Sequence, residues 1–284
     1  MSTSQDCSPT PTTRIFTHYP TLLKTKKLFD LQDLKHDFEF PPLQVDGPPH
    51  PGKGWTRFVC ISDTHSNIYT FPKGDVLLHA GDLSSWGEVE QLKQTVDWIA
   101  SLEGFQVKIL IGGNHDLCLD EDWCKGYSPE EREYEEARKL ITNGEVMAKG
   151  IRYLEHGRLE FTTEEGRKWI IYGSPAAPRY ALGAFQYKNS KEAEDIYKCI
   201  PDDTEILLTH TPPHQILDKT RKGIRAGCKV LRDVLDSGRL DRLRLHVFGH
   251  IHEAHGAMLT GNGRAEVNAA LVRGGEAIIV DLKN

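Results

Sequence analysis

Five short apolar runs, each closed by an aspartate, asparagine or histidine, constrain this chain more than any other feature. Arg57–Ser62 leads into Ser62-Asp63-Thr64-His65, Asp75–Ala80 into His79-Ala80-Gly81-Asp82, and Lys108–Gly112 into Gly112-Gly113-Asn114-His115-Asp116. Glu205–Thr209 delivers Thr209-His210-Thr211-Pro212-Pro213, and Leu243–Phe248 ends in Phe248-Gly249-His250-Ile251-His252. Short apolar runs closed by Gly, Asp or His read as buried strands with functional loops at their C-terminal ends. Their terminal polar residues then share one edge of a sheet.

Helical patterns lie between the runs, over Gly87–Leu102, Ser128–Ile141, Lys191–Cys199 and Lys229–Asp236. The second opens with Ser128-Pro129-Glu130-Glu131, a capping box with proline at the first helical position. Arg158–Thr163 and Arg167–Tyr172, around Glu164-Glu165-Gly166, predict an antiparallel hairpin. Ala265–Leu271 and Glu276–Leu282, around Arg273-Gly274-Gly275, predict another. A β/α first half followed by hairpin-rich strands predicts two sheets packed together with helices outside. Residues 1–54 form an N-terminal arm, partly irregular, broken by Pro41-Pro42 and Gly47-Pro48-Pro49, with a short packed helix expected over Leu22–Leu34. Residues 55–284 are expected to form one domain.

Composition excludes several classes. The chain has 284 residues, and 35 basic side chains against 41 acidic ones leave a formal charge of −6. That balance supplies no general pull toward nucleic acid or an anionic membrane surface. No apolar stretch is long enough to span a bilayer, and the N-terminus has no charged segment followed by an apolar one, so a cytoplasmic address is expected. The six cysteines contain no CxxC pair, so reduced thiols are expected and a thiolate-held structural zinc is not.

Carboxylates mixed with neutral imidazoles suit Mn²⁺, Fe²⁺, Zn²⁺ or Co²⁺ rather than Ca²⁺. Glycines before Asp82, Asn114 and His250 let the backbone turn tightly enough for side chains to converge. The candidate ligands Asp63, His65, Asp82, Asn114, His210, His250 and His252 are more than one ion needs, so two divalent ions are implied.

In order and spacing the five blocks resemble those of the calcineurin-like metallophosphoesterase superfamily: D-x-H, G-D, G-N-H-D/E, an isolated histidine and G-H-x-H. The resemblance covers about residues 57–282. More narrowly the chain is similar to the metallophosphoesterase-domain-containing (brain 239-type) subfamily and its fungal relatives. The phrases that carry this are Asp63-Thr64-His65, Tyr172-Gly173-Ser174-Pro175, Thr209-His210-Thr211-Pro212-Pro213, Gly227-Cys228 and His246-Val247-Phe248-Gly249-His250-Ile251-His252-Glu253. Some vertebrate members carry glycine where this chain has His250.

The resemblance implies an α/β fold, a four-layer α/β/β/α sandwich of two mixed β-sheets flanked by helices. It implies one ion held by Asp63, His65, Asp82 and His252, and a second by Asp82, Asn114, His210 and His250, with Asp82 bridging. Two divalent ions offset by two carboxylates and a bridging hydroxide leave about +1 to face a phosphoester. His115 would point at the phosphate and its leaving oxygen, with Asp116 a candidate to orient it. The activity implied is dinuclear metal-dependent hydrolysis of small phosphodiesters such as cyclic nucleotides, with Mn²⁺ the first choice of metal. Alternatives are a phosphomonoesterase acting on nucleotides or other small molecules, and a metal-binding scaffold with little turnover. Where protein Ser/Thr phosphatases continue as G-D-x-x-D-R-G, this chain reads Gly81-Asp82-Leu83-Ser84-Ser85-Trp86-Gly87, without the acid or the arginine.

Asn67, His214, Arg179, Arg225 and His255 are candidates for contact with a small phosphoester substrate. The remaining histidines, His79 and His246 among them, are read as structural or merely exposed. Trp86, Trp123, Trp169 and Tyr180 are read as core in preference to a base-binding wall.

Overall fold

The computed structural model describes residues 12–16, 44–127, 132–271 and 276–284. Along the chain the strands of the two main sheets are β1 (Thr13–Phe16), β2 (Trp55–Ile61), β3 (Val76–His79), β4 (Val107–Ile111), β5 (Ile151–Leu154) and β6 (Gly157–Thr162). They continue as β7 (Lys168–Ser174), β8 (Ile206–Thr209), β9 (Leu245–Phe248), β10 (Gly256–Leu259), β11 (Ala265–Asn268) and β12 (Ile278–Lys283). These strands make two six-stranded sheets, ordered β1-β12-β2-β3-β4-β5 and β10-β11-β9-β8-β7-β6. In each sheet four neighbouring strands run parallel and the others are antiparallel, so both are mixed. All five apolar runs lie in these parallel sets.

The alternation of side chains along each strand sets the layers. Phe58 and Cys60 of β2 point between the sheets, where they join Leu78, Ile109, Trp169, Ile171, Leu208 and Val247. Trp169 crosses the gap, its ring edge-on to Phe58 and its indole N–H donating to Thr56 Oγ1 at 3.1 Å. Val59 and Ile61 point the other way, onto Leu92, Val96 and Ile99 of helix Val89–Ser101 and onto Ala137 and Ile141 of helix Arg132–Thr142. Tyr172 and Leu207 meet helices Ser190–Tyr197 and Lys229–Asp236 on the opposite outer face. The result is an α/β/β/α sandwich of two mixed sheets.

The hairpin expected over residues 158–172 is present as β6 and β7. The second expected hairpin is not. Strand β11 pairs with β9 and β10 in the second sheet, whereas β12 pairs with β1 and β2 in the first. After β11 the chain crosses over at once: Ala270 bridges to Ser62, and the Leu271 N–H donates to the Ser62 carbonyl at 2.9 Å. Both strands are almost wholly buried, a condition met by placing each inside a different sheet and not at a shared edge. Thr13–Phe16, within the N-terminal arm, adds an edge strand to the first sheet. The expected helix at residues 22–34, the capping box at 128–131 and the turn at 273–275 lie outside the described residues.

Candidate metal centre

The five polar strand ends meet where the C-terminal edges of the two sheets come together. β2, β3 and β4 bring Asp63, Asp82 and Asn114 from the first sheet, while β8 and β9 bring His210, His250 and His252 from the second. Backbone bonds stitch the loops into one floor. Asp63 N–H donates to the Gly81 carbonyl at 2.9 Å, His65 N–H to the Asp82 carbonyl at 3.0 Å, and Gly249 N–H to the His210 carbonyl at 3.0 Å. Asp63, His65, Asp82 and His250 all have positive φ, at 53°, 46°, 54° and 65°. Non-glycine residues rarely adopt that region, and its concentration here marks a site held against local preference. Gly113 and Gly249 permit the closest approach: a Cβ on Gly113 would collide with the Asp82 backbone nitrogen and carboxylate, and one on Gly249 with Asp63 and Ser62.

Ligand atoms of Asp63, His65, Asp82 and His252 all lie within 4.8 Å of one another and could hold a metal ion. Asp63 is fully buried and accepts from the His250 N–H at 3.0 Å, while His252 Nε2 lies 3.0 Å from its Oδ1. His65 Nε2 stands 3.7 Å from Asp82 Oδ2 and 3.5 Å from His252 Nε2. The other oxygen of Asp82 faces the second group, with Oδ1 3.4 Å from His210 Nε2. That nitrogen lies 2.9 Å from Asn114 Oδ1, and the His250 ring centroid is 4.9 Å from that of His210. Asp82 thus turns one oxygen toward each group.

The donor set fits divalent cations. His210 Nδ1 donates to the Ala80 carbonyl at 2.9 Å, which leaves the Nε2 lone pair directed at the site. Burial holds His65 down at about 4 and His250 at about 3, so both imidazoles are neutral at physiological pH, the form that binds metal. For His252 burial is outweighed by the hydrogen bond and charge of Asp63, and its pKa rises. Burial and the Asp63 charge both push Asp82 well above the usual carboxylate range. Two buried carboxylates side by side, ringed by imidazole nitrogens, are an arrangement that a bound cation relieves.

His115 sits over the first group, its ring 4.7 Å from that of His65 and perpendicular to it. Its Nδ1 donates to the Ser85 carbonyl at 2.7 Å. Ser85, and not Asp116, therefore orients it. Asp116 is fully buried and ties two loops together, accepting from Leu83 N–H at 3.1 Å, Ser84 N–H at 2.7 Å, Ser84 Oγ at 2.7 Å and Gly113 N–H at 2.8 Å. No residue-type pattern announces a carbonyl partner such as that of Ser85.

The expected substrate residues are placed unevenly. The Asn67 amide is occupied by the Thr64 and His65 carbonyls, at 2.9 and 3.1 Å. His255 Nε2 donates to the Glu276 carbonyl at 2.8 Å. Arg225 pairs with the buried Asp218 at 2.9 Å, the same carboxylate that lies 3.5 Å from His214 Nδ1. Arg179 is exposed, with its backbone N–H on the Tyr187 carbonyl. These contacts tie the residues to neighbouring loops. Among the aromatics, Trp169 is core as expected, but Trp86 is 71% exposed and Tyr180 is 90% exposed, so neither packs inside. Two histidines read as structural are fully buried behind the ligands. His79 Nε2 lies 2.9 Å from Thr64 Oγ1, and His246 bridges Thr209 Oγ1 at 2.8 Å and Glu266 at 2.9 Å.

Two mixed sheets whose ends gather carboxylates, imidazoles and an asparagine into paired groups define a metallophosphoesterase. The chain belongs to the calcineurin-like phosphoesterase family, whose model matches residues 56–254. It is 35% identical over 251 residues to metallophosphoesterase domain-containing protein 1 of Homo sapiens, covering 81% of this chain and 70% of that protein. UPF0046 protein K07C11.7 of Caenorhabditis elegans is 32% identical over 237 residues, covering 83% of this chain and 76% of that protein. A looser structural likeness, at TM-score 0.40 and 10% identity, links 79% of this chain to 91% of a dimetal phosphatase from Danio rerio. The family couples such a fold to hydrolysis of phosphoesters with two divalent metals. Among the described residues no helix is long and apolar enough to cross a membrane.

Proposed function

We propose that this protein hydrolyses small phosphodiesters, cyclic nucleotides among them, with Mn²⁺ as the first metal to test. Asp63, His65, Asp82 and His252 would hold one ion, and Asp82, Asn114, His210 and His250 the other. When bound, such a pair supplies Lewis acidity, lowering the pKa of water and stabilising charge on the attacking and departing oxygens. The protein contributes position and charge balance. Asp82 reaches both groups from one buried carboxylate. The Ala80 carbonyl fixes the His210 tautomer, and the His250 N–H stabilises the ionised form of Asp63.

His115 is suited to protonate the leaving alkoxide. The Ser85 carbonyl takes its Nδ1–H and leaves Nε2 to carry the transferable proton. A single observation carries the preference for diesters. Where phosphoprotein phosphatases place an arginine to grip a dianionic phosphate, Trp86 stands exposed beside His115, with ring centroids 6.4 Å apart. An uncharged aromatic at that point suits a monoanionic diester with a bulky ester arm.

Turnover of bis(p-nitrophenyl) phosphate and p-nitrophenyl phosphate by the Mn²⁺-loaded protein tests this. The diester should be preferred by at least about tenfold in kcat/KM, a difference in transition-state binding of about 1.4 kcal/mol. A preference for the monoester makes the protein a phosphomonoesterase. Metal binding with turnover of neither compound favours a scaffold.

A further inference from the structure

The segment after Asp82 presents one large apolar side chain to solvent from a backbone pinned residue by residue. Leu83 and Ser84 are anchored to the buried Asp116 carboxylate. Ser85 N–H donates to Ser66 Oγ at 3.2 Å, and Ser85 Oγ to the His65 carbonyl at 2.6 Å. Trp86 N–H donates to Gln91 Oε1 at 2.8 Å. Gly87 follows at φ 77°, crowded against Leu117 so closely that a Cβ has no room. The indole carried by this rigid segment is nonetheless 71% exposed. An exposed tryptophan gains little from folding, whereas a rigidly held one loses little entropy when something stacks on it. Its immediate neighbour in sequence, Ser85, is the residue that orients His115.

We propose that Trp86 is the platform on which the departing arm of the substrate stacks, so that the enzyme selects phosphodiesters whose leaving alcohol carries a flat aromatic ring or a nucleobase. This rests on the reading of His115 as the group that faces the leaving oxygen. Trp86 then lies on the leaving-group side of the centre and has no part in holding the phosphoryl group. It is a specificity-determining residue, and its removal leaves the recognition of phosphate itself intact. Aromatic–base stacking tolerates any base, because every base has a π-face. The platform thus selects flatness and does not read hydrogen-bonding edges.

The test is calorimetric titration of adenosine 5′-monophosphate and of inorganic phosphate into the Mn²⁺-loaded full chain, for wild type, Trp86→Ala and Trp86→Phe. Wild type should bind the nucleotide more tightly than phosphate. Trp86→Ala should weaken nucleotide binding about tenfold, Trp86→Phe should retain most of it, and phosphate affinity should be the same in all three. Equal nucleotide affinity in wild type and Trp86→Ala would overturn the proposal, as would an equal loss for both ligands or a wild type that binds the nucleotide no better than phosphate. A wild type that prefers p-nitrophenyl phosphate in turnover would instead overturn the diester reading, and the contrast between nucleotide and phosphate would still report on Trp86.

Discussion

The two sheets reach the metal edge with matching parts held in different ways. Behind Asp63 in the first sheet, Thr64 meets His79, whose second nitrogen accepts from the Gly81 backbone N–H at 3.3 Å. Behind His210 in the second sheet, Thr209 meets His246, which leads on to Glu266 and from there to Arg264 at 2.6 Å. Every side chain in both sets is buried. On the first side the ligand loops are held mainly by backbone: three of the four positive-φ ligands, loop-to-loop carbonyl bonds and the Asp116 carboxylate that gathers three N–H groups. On the second side, strand-to-strand side chains and a buried ion pair set the position of a single histidine. Damage to the second sheet should therefore appear first as lost stability, and damage to the first as lost geometry.

The largest effect belongs to the ionic chain. Glu266→Ala leaves the buried Arg264 guanidinium and the His246 Nδ1 without their partner. Breaking a buried pair from one side costs about 3–5 kcal/mol, which denaturant titration of the metal-free protein should register. A loss below about 1 kcal/mol would mean that Arg264 finds water, and the contrast between the sheets would weaken. Gly249→Ala tests the seam between them. The added methyl collides with Asp63, so a cost of about 1–3 kcal/mol in unfolding is expected together with weakened metal binding.

Asp116→Asn tests the backbone-held side. The amide keeps one acceptor oxygen and turns an NH2 group either toward the N–H groups of Leu83 and Gly113 or toward that of Ser84, with an expected cost of about 1–2 kcal/mol. Loosening of the loop that carries Ser85 should lower turnover further than that stability loss explains. Unchanged kcat in a folded Asp116→Asn protein would show that the loop holds without its carboxylate.

The most gradual effect is one of pH. Burial depresses the His79 pKa to about 3, against an ordinary value of about 6.5. The unfolded chain therefore takes up this proton first, so the contribution to stability is complete above about pH 6.5 and is lost as pH falls toward 3. Between pH 7 and pH 5, His79→Gln should flatten the decline in unfolding free energy by about 2 kcal/mol relative to wild type. Parallel declines in the two proteins would place the acid sensitivity elsewhere.

Much of this comparison was legible in the residues alone, and the missing part has a physical cause. A strand end is visible in sequence because an apolar run must stop where its polar residue enters the site, so Asp63, Asp82, Asn114, His210 and His250 stand out. Partnership between strands is less visible. β11 and β12 look like the two arms of a hairpin, because a doubly buried strand carries no mark of which sheet will bury it. Exposure of Trp86 is hidden for a related reason: an aromatic in a glycine-flanked loop reads the same whether it folds inward or is held out. The tie from His115 to Ser85 leaves no trace, since a backbone carbonyl is common to every residue.

The most direct measurement is the number of Mn²⁺ ions bound per chain, in wild type and in Asp82→Asn, alongside hydrolysis of bis(p-nitrophenyl) phosphate. One carboxylate serving ligand groups from both sheets predicts two ions in wild type. It also predicts fewer than two in a folded Asp82→Asn protein, with turnover reduced by at least about a hundredfold, or about 2.7 kcal/mol of transition-state stabilisation. A single ion in wild type, or an Asp82→Asn protein that keeps both metals and its activity, would contradict the account.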